Sequence, residues 1–144
     1  MIKPIRLANS NFLSSLDITS DEFTHILEIA KNFKNKKLKI DLNNKVLGLI
    51  FDKSSTRTRV SFQVAMSRLG GTTIDLNPST SQIGRGEPIK DTARVLSRYC
   101  DVLAIRTFDH SDLQEYARWS TNPVINALTA VSYTHLTLPT IMPV

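Results

Sequence analysis

The sequence predicts an α/β fold in which a parallel four-stranded sheet carries helices on both faces. Four short apolar segments suited to buried strands alternate with segments of helical periodicity. Alternation of this kind forms parallel sheets through right-handed crossovers. The chain has 144 residues, 41% hydrophobic and 22% charged, which suffices for one domain with a core and is not the composition of a disordered chain.

The first helix is predicted to begin after Thr19, which has the spacing of a capping box with Glu22. Lysines crowd the far end of this segment, where cations suit the negative end of the helix dipole, so we expect the helix to end near Lys36. Five apolar residues fall on one face of the helix: Phe23, Ile26, Leu27, Ala30 and Phe33.

A strand and a second helix follow. Residues 46–51 form a short apolar run, typical of a strand that is buried on both faces. The next helix is predicted to end at the Gly70-Gly71 pair, a natural C-terminal stop. Its apolar positions are Val60, Val64 and Leu69, broadened by Phe62, Ala65 and Met66.

The second half of the chain repeats this alternation. A strand is predicted over residues 72–76, and Pro88 suits the first turn of a third helix. Further strands are predicted over residues 102–105 and 124–128, on either side of a fourth helix over residues 111–119. The inward positions of the third helix are Ile89, Ala93, Leu96 and Cys100.

Composition limits the function classes without choosing among them. The net charge of +5 suits an anionic ligand or a nucleic acid equally well. A single cysteine excludes an intrachain disulfide and a cysteine-rich zinc site. The sequence shows neither a signal peptide nor an apolar run long enough to span a membrane, so we expect a cytoplasmic protein.

The chemistry is expected at the carboxyl ends of the strands, where open parallel sheets bind ligands. The loops there cover residues 52–58, 77–87 and 106–110. The first combines hydroxyls and guanidinium groups at the start of a helix, an arrangement that suits phosphate. The simpler alternative is an ordinary helix cap beside solvated arginines.

Several motifs resemble the aspartate and ornithine carbamoyltransferases. The resemblance covers about residues 5 to 129, and the later motifs resemble the ornithine branch specifically. The motifs are Ser54-Ser55-Thr56-Arg57-Thr58-Arg59, Ser81-Gln82-Ile83-Gly84-Arg85-Gly86-Glu87-Pro88-Ile89-Lys90-Asp91-Thr92-Ala93-Arg94-Val95-Leu96-Ser97-Arg98 and Ile105-Arg106-Thr107-Phe108.

The resemblance implies transfer of a carbamoyl group from carbamoyl phosphate to ornithine, giving citrulline and phosphate in arginine metabolism. It implies catalytic roles for Arg57 and Arg106, and a homotrimer in which Gln82 reaches the site of a neighbouring subunit. Neither a metal ion nor a cofactor is implied. The implied carbamoyl phosphate contacts are Ser55, Thr56, Arg57, Thr58, Gln82 and Arg106.

Two alternatives stay open. Another acceptor amine, such as putrescine, would use the same carbamoyl phosphate site. From another class, the lysines over residues 31–39 would suit a small nucleic-acid-binding module, although aromatic residues are sparse among them. Four residues that could carry chemistry are interpreted as structural: Cys100, His25, His110 and Trp119.

We divide the chain into a carbamoyl phosphate domain over residues 1–130 and a tail over residues 131–144. The tail contains no Asp, Glu, Lys, Arg or Gly. Its start resembles a translated sequencing-library transposon adapter, which predicts a non-native segment. The alternative is a terminal β-segment, favoured by the tail's β-branched and aromatic content. His135 lacks the Pro-Cys-Gln that follows the family's histidine, so we exclude it from the site.

Overall fold

A computed structural model of the chain describes residues 7–129 and shows the predicted class of fold. Four parallel strands form one sheet in the order β2-β1-β3-β4. The strands are β1 (Val46–Phe51), β2 (Thr72–Leu76), β3 (Val102–Arg106) and β4 (Val124–Asn126). The α-helices in this part of the chain are α1 (Ser20–Lys34), α2 (Thr56–Arg68), α3 (Ile89–Leu96) and α4 (His110–Trp119).

Alternate side chains of the strands build two apolar clusters, one on each face of the sheet. On one face α3 and α4 cover the strands, and Ile50 and Ile105 are fully buried among their side chains. On the other face α2 contributes Phe62 and Met66 against Leu49. Helices therefore cover both faces, as predicted.

The predicted strand boundaries need small corrections. The observed ranges of the first two strands are those predicted. The third strand, β3, continues to Arg106, which pairs with Phe51 of β1. The fourth strand stops earlier than predicted, at Asn126. Its side-chain oxygen accepts hydrogen bonds from the backbone N–H groups of Leu128 and Thr129, both at 2.9 Å, and this local turn competes with a longer strand.

The predicted cap of α1 is confirmed. Thr19 Oγ1 accepts from the Glu22 N–H at 3.2 Å, and the Glu22 carboxylate accepts from the Thr19 N–H at 2.7 Å. The second oxygen of Glu22 accepts from the Ala8 N–H at 2.7 Å. These backbone hydrogen bonds lower the pKa of Glu22 despite its burial.

Parts of two predicted helix faces lie outside the core of the described residues. Phe23 and Leu27 of α1 are 52% and 54% exposed, and Val60 and Val64 of α2 are 48% and 41% exposed. Helical periodicity identifies an apolar face but does not specify what covers it.

The third helix starts one residue later than predicted. Pro88 is its N-cap residue and lies immediately before the first turn.

Cys100 lies beyond the end of α3 but is buried, as expected. Side chains pack so closely over Gly48 of β1 that an added Cβ would lie 2.7 Å from Leu103 Cδ2 and 2.9 Å from Cys100 Sγ. No helix within residues 7–129 has the length and apolarity to cross a bilayer.

Candidate functional site

The order of the strands creates a crevice at the carboxyl edge of the sheet. The chain leaves β1 through α2 to reach β2 on one side, whereas β3 pairs with β1 on the other side and leads into α4. The connections after β1 and β3 thus diverge to opposite faces of the sheet. Such a switch point is the general ligand position in open α/β sheets.

Arg106 is the last residue of β3 and faces this crevice from a buried position. Its residue surface is only 6% exposed. The guanidinium Nη1 donates a 3.0 Å hydrogen bond to Ser55 Oγ, in the loop after β1. The backbone is tied together beside it, because the Asp52 N–H donates to the Arg106 carbonyl at 2.9 Å. A buried cationic fork is therefore fixed at the mouth of the crevice.

Ser55 occupies the N-cap position of α2 but its hydroxyl does not cap the helix. The hydroxyl instead accepts the hydrogen bond from Arg106. No side-chain cap serves the first-turn amides of Thr56, Arg57 and Thr58, which lie at the positive end of the helix dipole. The Ser55 hydroxyl is therefore not an ordinary serine cap, and the arrangement suits an anion.

The other sequence-predicted residues are less closely gathered. Thr56 and Arg57 are exposed and Thr58 is half-buried on the first turn of α2. Gln82 is exposed on a short 3-10 helix, Gln82–Arg85, in the loop after β2. Within residues 7–129, the side chains of Arg57 and Gln82 form no hydrogen bond, so the contact described here joins Ser55 and Arg106 only.

Arg59, the second arginine of the motif that begins at Ser54, has a structural partner. Arg59 forms a 3.5 Å ion pair with Asp75 of β2, and its guanidinium lies 5.6 Å from the centre of the Phe51 ring. The sequence interpretation counted both arginines of this loop toward anion binding. In the structure Arg59 instead links α2 to the sheet through these two contacts.

Sequence reasoning placed Asp52, which follows β1 directly, in the loop over residues 52–58 but gave it no role in the site. Its Oδ1 is buried and has no hydrogen-bond partner among the described residues. Burial, with a smaller contribution from the charge of Asp112, raises the pKa of Asp52. Its position at a strand end, beside the phosphate-type loop, was the available signal.

Cys100, one of the residues interpreted as structural, lies in surroundings that disfavour a reactive thiol. Cys100 is buried, and burial together with the charge of Asp101 raises the pKa of its thiol, which disfavours the thiolate. No group of three potential metal ligands occurs within residues 7–129. The predicted boundary of the tail lies outside the described residues.

Comparison with known proteins identifies relatives that match most of the chain. The family profile described as aspartate/ornithine carbamoyltransferase, carbamoyl-P binding domain, matches residues 10–137. Ornithine carbamoyltransferases of Prochlorococcus marinus strains MIT 9312 and MED4 are 81% and 83% identical to the chain over 133 residues. The match covers 92% of this chain but 43% of either relative, so the chain spans about two fifths of their length.

Solved structures agree with this relationship. The ornithine carbamoyltransferase of Pyrococcus furiosus superposes with a TM-score of 0.79 at 48% identity, covering 88% of this chain and 42% of that one. The enzyme of Gloeobacter violaceus gives 0.75 at 49% identity, covering 84% and 39%. The catalytic subunit of M. jannaschii aspartate transcarbamoylase gives 0.73 at 34% identity, covering 83% and 41%.

Proposed function

The chain belongs to the aspartate/ornithine carbamoyltransferase family, and from this premise we propose that it is the carbamoyl phosphate-binding half of an ornithine carbamoyltransferase. The observation that carries the proposal is the hydrogen bond between Arg106 and Ser55 at the uncapped start of α2. It fixes a cation and a set of free amide donors beside one crevice. The names and high identities of the relatives support ornithine as the acceptor over putrescine.

The proposed reaction follows from the charges that develop in it. The acceptor amine, in its neutral form, attacks the carbamoyl carbon, and electron density moves onto the carbonyl oxygen. The bond from that carbon to the phosphate oxygen then breaks, phosphate leaves with the electron pair, and the amine nitrogen loses a proton. Both the carbonyl oxygen and the departing phosphate gain negative charge, so fixed cations and N–H donors stabilise the transition state.

We assign the parts of the site accordingly. Arg106 serves the carbonyl oxygen and phosphate, and Arg57 supplies a second catalytic cation. The amides and hydroxyls over Ser55, Thr56 and Thr58 hold the phosphate. Neither a metal ion nor a cofactor has a step to perform, since positioning of amine and carbonyl supplies the remaining acceleration. Ser55 positions Arg106 as well as contributing to the loop.

Gln82 is assigned to the site of a neighbouring subunit in a homotrimer. Its exposed side chain, which forms no hydrogen bond within residues 7–129, is free to make such a contact. We further propose a cytoplasmic protein. The nucleic-acid alternative has less support, because the lysines over residues 31–39 lie around the end of α1 and the relatives are carbamoyltransferases.

The test of this proposal is a chimera that supplies the missing length. Residues 1–129 are joined to the remaining C-terminal part of the Prochlorococcus marinus MIT 9312 relative, and citrulline formation from carbamoyl phosphate and ornithine is measured. We expect activity comparable to that of the intact relative, with putrescine used poorly. A well-folded chimera that forms no citrulline would contradict the proposal.

The 144-residue chain itself is expected to bind carbamoyl phosphate without catalysing citrulline formation. Titration with a phosphonate analogue of carbamoyl phosphate, followed by calorimetry, is expected to show weak binding that Arg106→Gln abolishes. Lys37→Gln, which removes an exposed charge near the end of α1, is the matched control and should bind normally. Citrulline production by the purified chain above an Arg57→Ala control would refute the expected inactivity.

A further inference from the structure

Trp119, the single tryptophan of the chain, packs against the core at the end of α4 and lies beside three cations of α3 and α4. Lys90 Nζ lies 4.5 Å from the centre of its ring, Arg94 Cζ lies 5.0 Å away and Arg118 Cζ lies 5.5 Å away. We call these four residues the cationic patch. It belongs to the face of the sheet opposite α2 and shares no residue with the Ser55–Arg106 site.

The positive charges of the cationic patch are not neutralised within the described residues. The ion pairs over residues 7–129 are Lys45–Asp101 and Arg59–Asp75, so none of the three cations has a carboxylate partner there. Any two of the three lie within roughly a Debye length of each other, about 10 Å at 0.1 M salt. The indole attracts each cation, but their mutual repulsion remains, and a bound anion would relieve it.

The neighbourhood of the cationic patch has the composition of a protein interface. Arg94 and Arg118 are exposed. Two exposed apolar residues stand close by along the chain: Val95 on α3 is 52% exposed, and Tyr99 just beyond α3 is 68% exposed. Arginine, tryptophan and tyrosine are the residue types most enriched among residues that dominate binding between proteins.

From this combination we propose that the cationic patch docks an acidic segment of a protein partner, one whose carboxylates lie beside an apolar side chain. Carboxylates match the unpaired cations, and the apolar side chain matches Val95 and Tyr99. A nucleic acid fits less well, because three cations already lie against the indole, which leaves it a poor platform for stacking a base. A free phosphate would leave the apolar residues unused.

The experiment uses the complete chain and a short dye-labelled peptide of repeating Glu-Glu-Leu. Peptide anisotropy reports affinity, and Trp119 emission reports location, because no other tryptophan contributes. The patch variant combines Lys90→Gln, Arg94→Gln and Arg118→Gln. Its matched control removes the same charge elsewhere, with Lys31→Gln, Lys34→Gln and Lys37→Gln. Circular dichroism checks the folding of both, and Arg118→Gln alone replaces the triple variant if the latter unfolds.

We expect the Glu-Glu-Leu peptide to bind saturably, to change Trp119 emission and to bind less tightly as salt is added. Its affinity should be roughly ten-fold or more weaker for the patch variant and unchanged for the control variant. A Gln-Gln-Leu peptide should not bind. The proposal is overturned if both triple variants lose affinity equally, if Trp119 emission does not respond, or if an oligonucleotide or inorganic phosphate competes as well as the acidic peptide. Loss of phosphonate binding at Ser55 and Arg106 would leave this result unaffected, so the two proposals fail separately.

Discussion

Arg106 and Ser55 are joined by a 3.0 Å hydrogen bond from guanidinium to hydroxyl, although 51 positions separate them in the sequence. The bond links the end of β3 to the start of α2 across the point where the connections diverge. It also withdraws the Ser55 hydroxyl from capping α2. One contact thus orients a buried cation and leaves helix amides available to an anion.

This contact predicts unequal effects of two substitutions in the chimeric enzyme. Arg106→Gln removes the charge that we propose to face the developing oxyanion, and we expect kcat/KM to fall by at least about 100-fold, or roughly 3 kcal/mol. Ser55→Ala keeps the cation but loosens its orientation, so the expected loss is smaller, about 1–2 kcal/mol. Steady-state kinetics measures both. Normal turnover of Arg106→Gln would remove Arg106 from the mechanism.

The close packing of side chains over Gly48 predicts that Gly48→Ala destabilises the chain by about 1–3 kcal/mol, since an added Cβ would meet Leu103 and Cys100. Urea unfolding measures the change. Cys100→Ala removes the sulfur that lies 2.9 Å from the added carbon, so its cost should be smaller in the Gly48→Ala background than alone. Strictly additive losses would show that the two side chains do not compete for this space.

The raised pKa of Asp52 predicts how stability depends on pH. The folded state favours the protonated carboxyl, so its stabilising contribution is complete below the ordinary pKa of 3.8 and is lost as pH rises through the raised value. Asp52→Asn should therefore be more stable than the parent at pH 7, and the difference should shrink as pH falls toward 3.8. Denaturant unfolding across this range measures it.

Asp101→Asn is the contrasting variant. A hydrogen bond from Lys45 and another from the Val46 N–H lower the pKa of Asp101. Its contribution to stability is present above the ordinary pKa and is lost as pH falls through the lowered value. This variant should therefore be less stable than the parent at pH 7, opposite in sign to Asp52→Asn. The same sign for both would contradict the assignment of burial as the main cause at Asp52.

The tail over residues 131–144 carries a prediction at the level of DNA. If it derives from an adapter, amplification across the same locus without transposon-based library preparation should encode aspartate where the chain has Ala130. The reading frame should then continue into an Asp-x-x-His-Pro-Cys-Gln pattern. Independent DNA that encodes the same tail without adapter sequence would establish it as part of the protein.

Much of the local structure could be predicted because its causes lie within a few residues. The capping box of Thr19 and Glu22 is confirmed by reciprocal hydrogen bonds, and the ranges of the first two strands are confirmed as predicted. The end of β4 could have been anticipated only from the turn that Asn126 forms with its own neighbours. The interpretation of the loop after β1 as an anion-type site, made from its hydroxyls and arginines, stays a prediction.

The sequence by itself therefore determined the elements, their alternation and the residue types at the strand ends, since periodicity and capping act between neighbours in the chain. Only the tertiary structure decided that β1 lies between β2 and β3, that Ser55 meets Arg106, and that Arg59 is held by Asp75. Those outcomes depend on the side of β1 on which the chain places the next strand after each crossover helix. They arise from packing and electrostatics between distant segments, which local spacing does not encode.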